Sequence, residues 1–174
     1  MTATGGNDMP GDAPDGHRRE FTHLDAHGRA RMVDVTSKPV TLRLAVARCV
    51  VRADPAAIER AMKAEDAAAL ARAAGLNGAK QTSALVPLCH PLPLDDVNLQ
   101  IEHGHGAVAI RATTTVVART GVEMEALTAC ALAGLTMVMH MLPFDPGATL
   151  STLGLWHKSG GRSGTWEREE PAAG

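Results

Sequence analysis

From Ala126 to Leu142 the chain is apolar almost without interruption, and this run is opened by Glu123 and Glu125 and closed by Pro143. Proline lacks a backbone N–H and clashes with the preceding turn, so a helix stops there. Acidic residues favour the opposite end, where the helix dipole is positive. The pattern predicts a helix over 122–142. Its length tempts a membrane assignment, but Thr128, Gly134, Thr136 and His140 break the run, so the reading is a buried or interface helix with no membrane partner. The helix is apolar nearly all round, more than a chain of 174 residues buries by itself, so part of it is expected in a subunit interface.

The rest of the chain fits around that helix. Val40, Leu42, Leu44 and Val46 alternate within 39–51, which predicts a strand. Asp54-Pro55 is a helix start, with Asp as N-cap and Pro at the first helical position. The Ala-rich run to Ala79 then predicts two or three short helices, with breaks near Glu65-Asp66 and near Gly75. Pro87, Pro91 and Pro93 force an extended loop. Val97, Leu99 and Ile101 alternate out of it, a Gly-His turn follows at 103–106, and Val108, Ile110, Ala112 and Thr114 alternate back as a hairpin. A last strand is expected over 150–156. Strand, helices, hairpin, helix and strand point to an α+β fold, a ferredoxin-like plait with helices packed on one face of an antiparallel sheet.

Charge and cysteine content narrow the function classes. Seventeen Lys and Arg nearly balance nineteen Asp and Glu, so no global field draws the chain to nucleic acid, and any anion site is local. The absence of tyrosine removes the stacking platforms of single-strand binders. Cys49, Cys89 and Cys130 are odd in number and widely spaced, against a disulfide framework or structural zinc and for a reducing, cytoplasmic setting. Residues 1–20 lack a basic start and an apolar run, so they read as a disordered leader rather than a secretory signal. The domain is expected over 21–165, with a flexible tail over 166–174.

Four polar clusters carry candidate chemistry. Lys158 and Arg162 flank glycines, which let N–H groups approach an anion; a phosphate site and a flexible cationic tail both fit. His90, between Cys89 and Pro91, has a pKa suited to proton transfer, although a loop histidine often only bonds the backbone. One Cys-His pair offers too few ligands for zinc, and no metal or cofactor is expected. Glu123 and Glu125 lie two residues apart, on different helix faces, so the spacing alone turns only one of them towards a site. Arg43 on the first strand and Lys80 on the helices are further isolated cations.

Six segments in order resemble the cyclic pyranopterin monophosphate synthase (MoaC) family: Met32-Val33-Asp34-Val35, Thr41-Leu42-Arg43, Ala79-Lys80 with Thr82-Ser83, Pro87 to Leu92, Thr120 to Thr128, and Lys158 to Gly164. The resemblance implies a ferredoxin-like fold, a homohexamer built as a trimer of dimers with sites at subunit interfaces, and a lyase of molybdenum cofactor biosynthesis. The implied substrate is a purine nucleotide triphosphate derivative, 3',8-cyclo-7,8-dihydro-GTP, rearranged to cyclic pyranopterin monophosphate with loss of pyrophosphate. Carried onto this chain, His90, Glu123, Glu125 and Lys158 are the catalytic candidates. Arg43, Lys80, Leu88, Cys89, His90, Met124 and Arg162 are the substrate-binding candidates.

The chain departs from that pattern late in the long helix. Family members carry a Tyr-Asp-Met-Cys-Lys run whose aspartate and lysine form an acid-base pair; here Met139 and Leu142 align with them, and neither moves a proton. A further family lysine aligns with Ala64, one residue from Lys63. Lys63, His140 and Asp145 are the possible replacements. The alternatives to the family reaction are a diverged paralogue acting on another nucleotide, or an inactive nucleotide-binding or assembly partner.

Overall fold

The computed structural model describes residues 23–169 apart from 26, 64, 65 and 105. The leader, Ala64 and the turn residue His105 therefore lie outside the described residues. The first strand, β1 (Thr41–Arg52), is followed by α1 (Pro55–Lys63) and α2 (Ala67–Leu85). The hairpin is β2 (Asp96–Gly104) and β3 (Ala107–Ala118), the apolar helix is α3 (Glu123–Met141), and β4 (Thr149–Ser159) and β5 (Trp166–Glu167) end the chain.

The sheet order is β2-β3-β1-β4-β5 and every neighbouring pair is antiparallel. With α1–α2 and α3 as the two crossovers, the first four strands form the ferredoxin-like plait that the sequence pattern predicts. Alternation along β1 sends Ala45, Ala47, Cys49 and Val51 into one core with Ile58, Ile110, Ala126, Ala129, Cys130, Ala133, Met137 and Met141. Small residues dominate, so α3 lies close to the sheet. By length and composition α3 is apolar enough to cross a membrane, yet its buried side makes it the central core helix.

Three expectations change. Gly75 does not break α2, which runs on to Leu85. A Cβ at Gly75 would strike the Leu99 side chain and lie 2.9 Å from the Ala129 carbonyl oxygen, so the glycine permits close helix packing instead of ending a helix. The last strand is longer than 150–156 and takes in Lys158, because β4 keeps pairing with β1 as far as Leu44 opposite Ser159. Residues 166 and 167, expected in the tail, pair with His157 and Lys158. Arg168 secures that return: its Nε donates to the Leu155 carbonyl oxygen at 2.8 Å, and its guanidinium lies 5.1 Å from the Trp156 ring centre.

One buried hydrogen bond sets where α3 starts. Thr114 Oγ1 on β3 donates to the carbonyl oxygen of Val122, the residue capping α3, at 3.0 Å. Such a bond contributes about 1 kcal/mol net. More important here, it holds the first turn of α3 against the end of the sheet.

Candidate active site

Strand register gathers the site. Thr41 pairs with Ala118 and Ala45 with Lys158, so the start of β1, the end of β3 and the end of β4 meet at one end of the sheet. Cross-strand partners share a face, which puts Lys158 on the helix side with Arg43, two residues from Ala45. The first turn of α3 arrives there through Thr114, and the proline loop brings His90.

Two cavities adjoin at this point, of about 440 and 250 Å³, and they share His23, His90, Thr120, Gly121 and Glu123. The larger is cationic, with Lys38, Arg43, Arg119, Lys158 and Arg162 in its wall. The smaller is lined by Leu88, Cys89, Leu92, Met124 and Glu125. They form one cleft with a cationic lobe and an acidic, partly apolar lobe.

Arg43 is the deepest cation, only 9% exposed. Its Nη2 donates to the Arg119 carbonyl oxygen at a long 3.4 Å, and its Nε has no hydrogen-bond partner among the described residues. Burying a guanidinium with so few bonds is costly unless an anion completes it. The glycine loop lies directly over it. Gly160 and Gly161 have φ of 97° and 73°, and a Cβ on Gly161 would overlap the Arg43 guanidinium. Only glycine at these positions lets the loop close on the arginine.

Lys158 Nζ lies 3.2 Å from Glu123 Oε1 and donates to it. Glu125 is buried, 4% exposed. Burial raises its pKa to about 7; a bond from its own backbone N–H opposes the rise and the neighbouring Glu123 adds to it. A carboxyl that titrates near neutrality can both give and take a proton. Burial, and then Glu125, raise the Cys89 thiol, so it stays protonated and acts as a weak donor rather than a nucleophile. Leu88 has φ 67°, a left-handed conformation that costs a non-glycine residue roughly 1–3 kcal/mol and is found most often at functional sites.

The cleft thus collects Arg43, Leu88, Cys89, His90, Glu123, Met124, Glu125, Lys158 and Arg162. Both glutamates line it, although spacing alone allowed one, because the lobe wraps around the first turn of α3. Lys80 is not brought there: it lines a separate cavity of about 360 Å³ with Leu76, Leu92, Asp95 and Asp96. A third cavity, about 450 Å³, opens on the opposite face of the sheet around Arg48, Arg111 and Trp156, and none of the catalytic or substrate-binding candidates lines it.

Met139 and Leu142 stand at the other end of α3, 58% and 45% exposed. Sixteen residues separate Met139 from Glu123, about 24 Å along a helix, so within one chain neither residue meets the cleft. The possible replacements share that distant end or have other work. Asp145 accepts from the backbone N–H groups of Asp54 and Gly147, each at 2.8 Å, and so pins the start of α1. His140 Nδ1 is 2.9 Å from the Thr136 carbonyl oxygen, an acceptor, so Nδ1 carries the proton in this bond. Lys63 lies 3.9 Å from Glu59 on the exposed side of α1.

The MoaC family model matches residues 32–161, a span that holds strands β1 to β4 and the whole cleft except His23, Arg162 and Ser163. The chain belongs to the MoaC family. Among its MoaC relatives, the cyclic pyranopterin monophosphate synthase of Thermomicrobium roseum is 48% identical over 161 residues, covering 88% of this chain and 96% of the relative. The enzyme of that name from Rhodospirillum rubrum is 47% identical over 84% of this chain and 92% of its own. The one from Streptomyces avermitilis is 43% identical over 97% and 99%.

Sequence reasoning missed Lys38, Arg119 and His23 in the cleft wall. Arg119 immediately precedes Thr120-Gly121, and Lys38 lies three residues before Thr41, the start of β1. Pairing the start of β1 with the end of β3 is the signal that brings them together, and that register is not written in either segment alone.

Proposed function

We propose that this chain is a cyclic pyranopterin monophosphate synthase, a cytoplasmic lyase of molybdenum cofactor biosynthesis. It converts 3',8-cyclo-7,8-dihydro-GTP to cyclic pyranopterin monophosphate and pyrophosphate. The observation that carries the reading is the two-lobed cleft, in which a buried, anion-seeking Arg43 lies beside a carboxyl poised near neutrality. A triphosphate enters the cationic lobe, where Arg43, Lys158 and Arg162 neutralise the charge that builds on the departing pyrophosphate. The purine-derived ring enters the smaller lobe against Leu88, Cys89 and Met124. Glu125 gives or takes a proton on that ring, and His90, which lines both lobes, carries protons between ring and phosphate ends. When phosphate draws Lys158 away, Glu123 is released from its ion pair.

The active form in this reading is a homohexamer, a trimer of dimers. Leu135, Met139 and Leu142 expose an apolar row on α3, and only a second copy can bring that end of the helix, or Lys80, near a cleft. A second reading rests on Met139 and Leu142 themselves: two apolar side chains at the aligned acid-base positions suit a paralogue with another substrate or an inactive assembly partner.

The test is turnover of the purified chain on 3',8-cyclo-7,8-dihydro-GTP, with mass detection of the pyranopterin and assay of pyrophosphate, beside a Met139→Asp, Leu142→Lys variant. Product from the natural chain is the expected result. Product from the variant alone moves the assignment to the second reading, and product from neither rejects the substrate.

A further inference from the structure

The open face of the sheet, turned away from α3, carries a hollow that the cleft does not use. Strand register builds its floor in two rows. Gln100, Arg111 and Arg48 stand opposite one another on β2, β3 and β1, and two residues further along Glu102, Ala109 and Val50 do the same. All six line the cavity of about 450 Å³, a size that suits a small organic ligand. One row is cationic and the other has an apolar centre. Like charges directly opposite in a ladder repel, so an anion lying between Arg48 and Arg111 turns an unfavourable pair into a favourable one.

The wall comes from β4, which leaves regular pairing on both sides of Arg48. His157 faces Val46 and Leu155 faces Ala47, so Trp156 is an extra residue; Gly154 faces Arg48 and Ser151 faces Val50, so Thr152 and Leu153 stand against Cys49 alone. Bulges re-aim side chains and are frequent beside functional sites. Here both bulges deliver a residue to the same cavity, Trp156 from one and Thr152 from the other. Thr152 has φ 50°, a left-handed conformation that a β-branched residue adopts only where its surroundings impose it. The Trp156 ring centre lies 5.3 Å from the Arg48 guanidinium and 5.1 Å from that of Arg168, so two cations fix the indole.

Arg48 and Arg111 against Glu102 leave the hollow a net charge of about +1, which one carboxylate answers. We propose that it is a second ligand site, for a small planar aromatic carboxylate. The carboxylate lies between the Arg48 and Arg111 guanidiniums, whose forked N–H donors match it, and the ring lies over Ala109 and Val50 against Trp156. The site is independent of the cleft, because Arg43 and Lys158 stand on the helix side of the sheet and these residues on the other.

The experiment is calorimetric titration of the full chain with 2-naphthoate, its uncharged amide 2-naphthamide, and the saturated, non-planar decahydro-2-naphthoate. The natural chain is expected to bind 2-naphthoate about 10- to 100-fold more tightly than the amide, the scale of charge-assisted hydrogen bonds. It is expected to bind the saturated acid roughly 2- to 10-fold more weakly than the flat one, the scale of an aromatic contact. An Arg111→Gln variant, changed only at an exposed position, is expected to lose about 10-fold or more for 2-naphthoate and less than about 3-fold for the amide, with its unfolding midpoint unchanged. Lys158→Gln, in the cleft, leaves the affinity for 2-naphthoate as it is. No binding of 2-naphthoate by the natural chain overturns the inference, and so does equal binding of acid and amide or of flat and saturated acid. A loss in Lys158→Gln that matches the loss in Arg111→Gln places the probe in the cleft and overturns it as well.

Discussion

The two ends of α3 differ in almost every physical respect. At the N-terminal end, Glu125 is buried, Glu123 is paired with Lys158, and a backbone carbonyl is tied to Thr114. At the C-terminal end, Leu135, Met139 and Leu142 expose large apolar side chains, and the nearby polar residues Asp145 and His140 are engaged with local backbone. One end has the buried charge of a chemical site; the other has an exposed apolar surface, the one that the proposed homohexamer would cover.

Three measurements break or sharpen that contrast. The largest effect is expected at the buried end: Glu125→Gln keeps the shape but removes the proton, and turnover falls by about 10²- to 10⁴-fold. A steady-state assay that finds less than about a fivefold loss takes the proton-carrier role away from Glu125.

The second concerns stability. Glu125 has its folded pKa raised from 4.5 to about 7, so between those values the folded state binds more protons than the unfolded one. Unfolding free energy therefore declines as pH rises through that window, by up to roughly 3 kcal/mol, and is fully present only below about 4.5. Denaturant unfolding at pH 5 and pH 8 is expected to show the Glu125→Gln variant gaining on the natural chain at the higher pH. Parallel pH profiles for the two proteins contradict the burial argument.

The smallest effect on the fold is expected at the exposed end. Met139→Ser with Leu142→Ser removes solvent-facing apolar surface, so the chain keeps its far-ultraviolet dichroism and its own fold changes by no more than about 0.5 kcal/mol. Sedimentation velocity should nonetheless show a smaller particle. An unchanged particle makes this row ordinary surface, and the contrast between the ends then reduces to burial alone.

Much of this was readable beforehand because the cues are local. Period-two alternation marks β1 and the hairpin, Asp54-Pro55 starts α1, and Pro143 ends α3. Gly75 misled because glycine has two uses, and nothing near it in sequence says that Leu99 and Ala129 press against it. Lys158 was read with the glycines that follow it, but pairing with β1 places it on a strand. Arg43, His90 and the two glutamates were legible as polar candidates, and segments shared with a family gave them roles; none of those segments says what surrounds its side chains.

The sequence by itself determined the order of elements, the α+β class and the stock of cations, carboxyls and one loop histidine, because these depend on neighbours a few residues away. Tertiary structure alone decided which of them meet. It set Lys38 and Arg119 beside Arg43, sent Lys80 to another cavity, parted Met139 from Glu123 by the length of a helix, and raised Glu125 by enclosing it. Burial and charge proximity are properties of chain segments distant in sequence, so they come into being only when the sheet register closes.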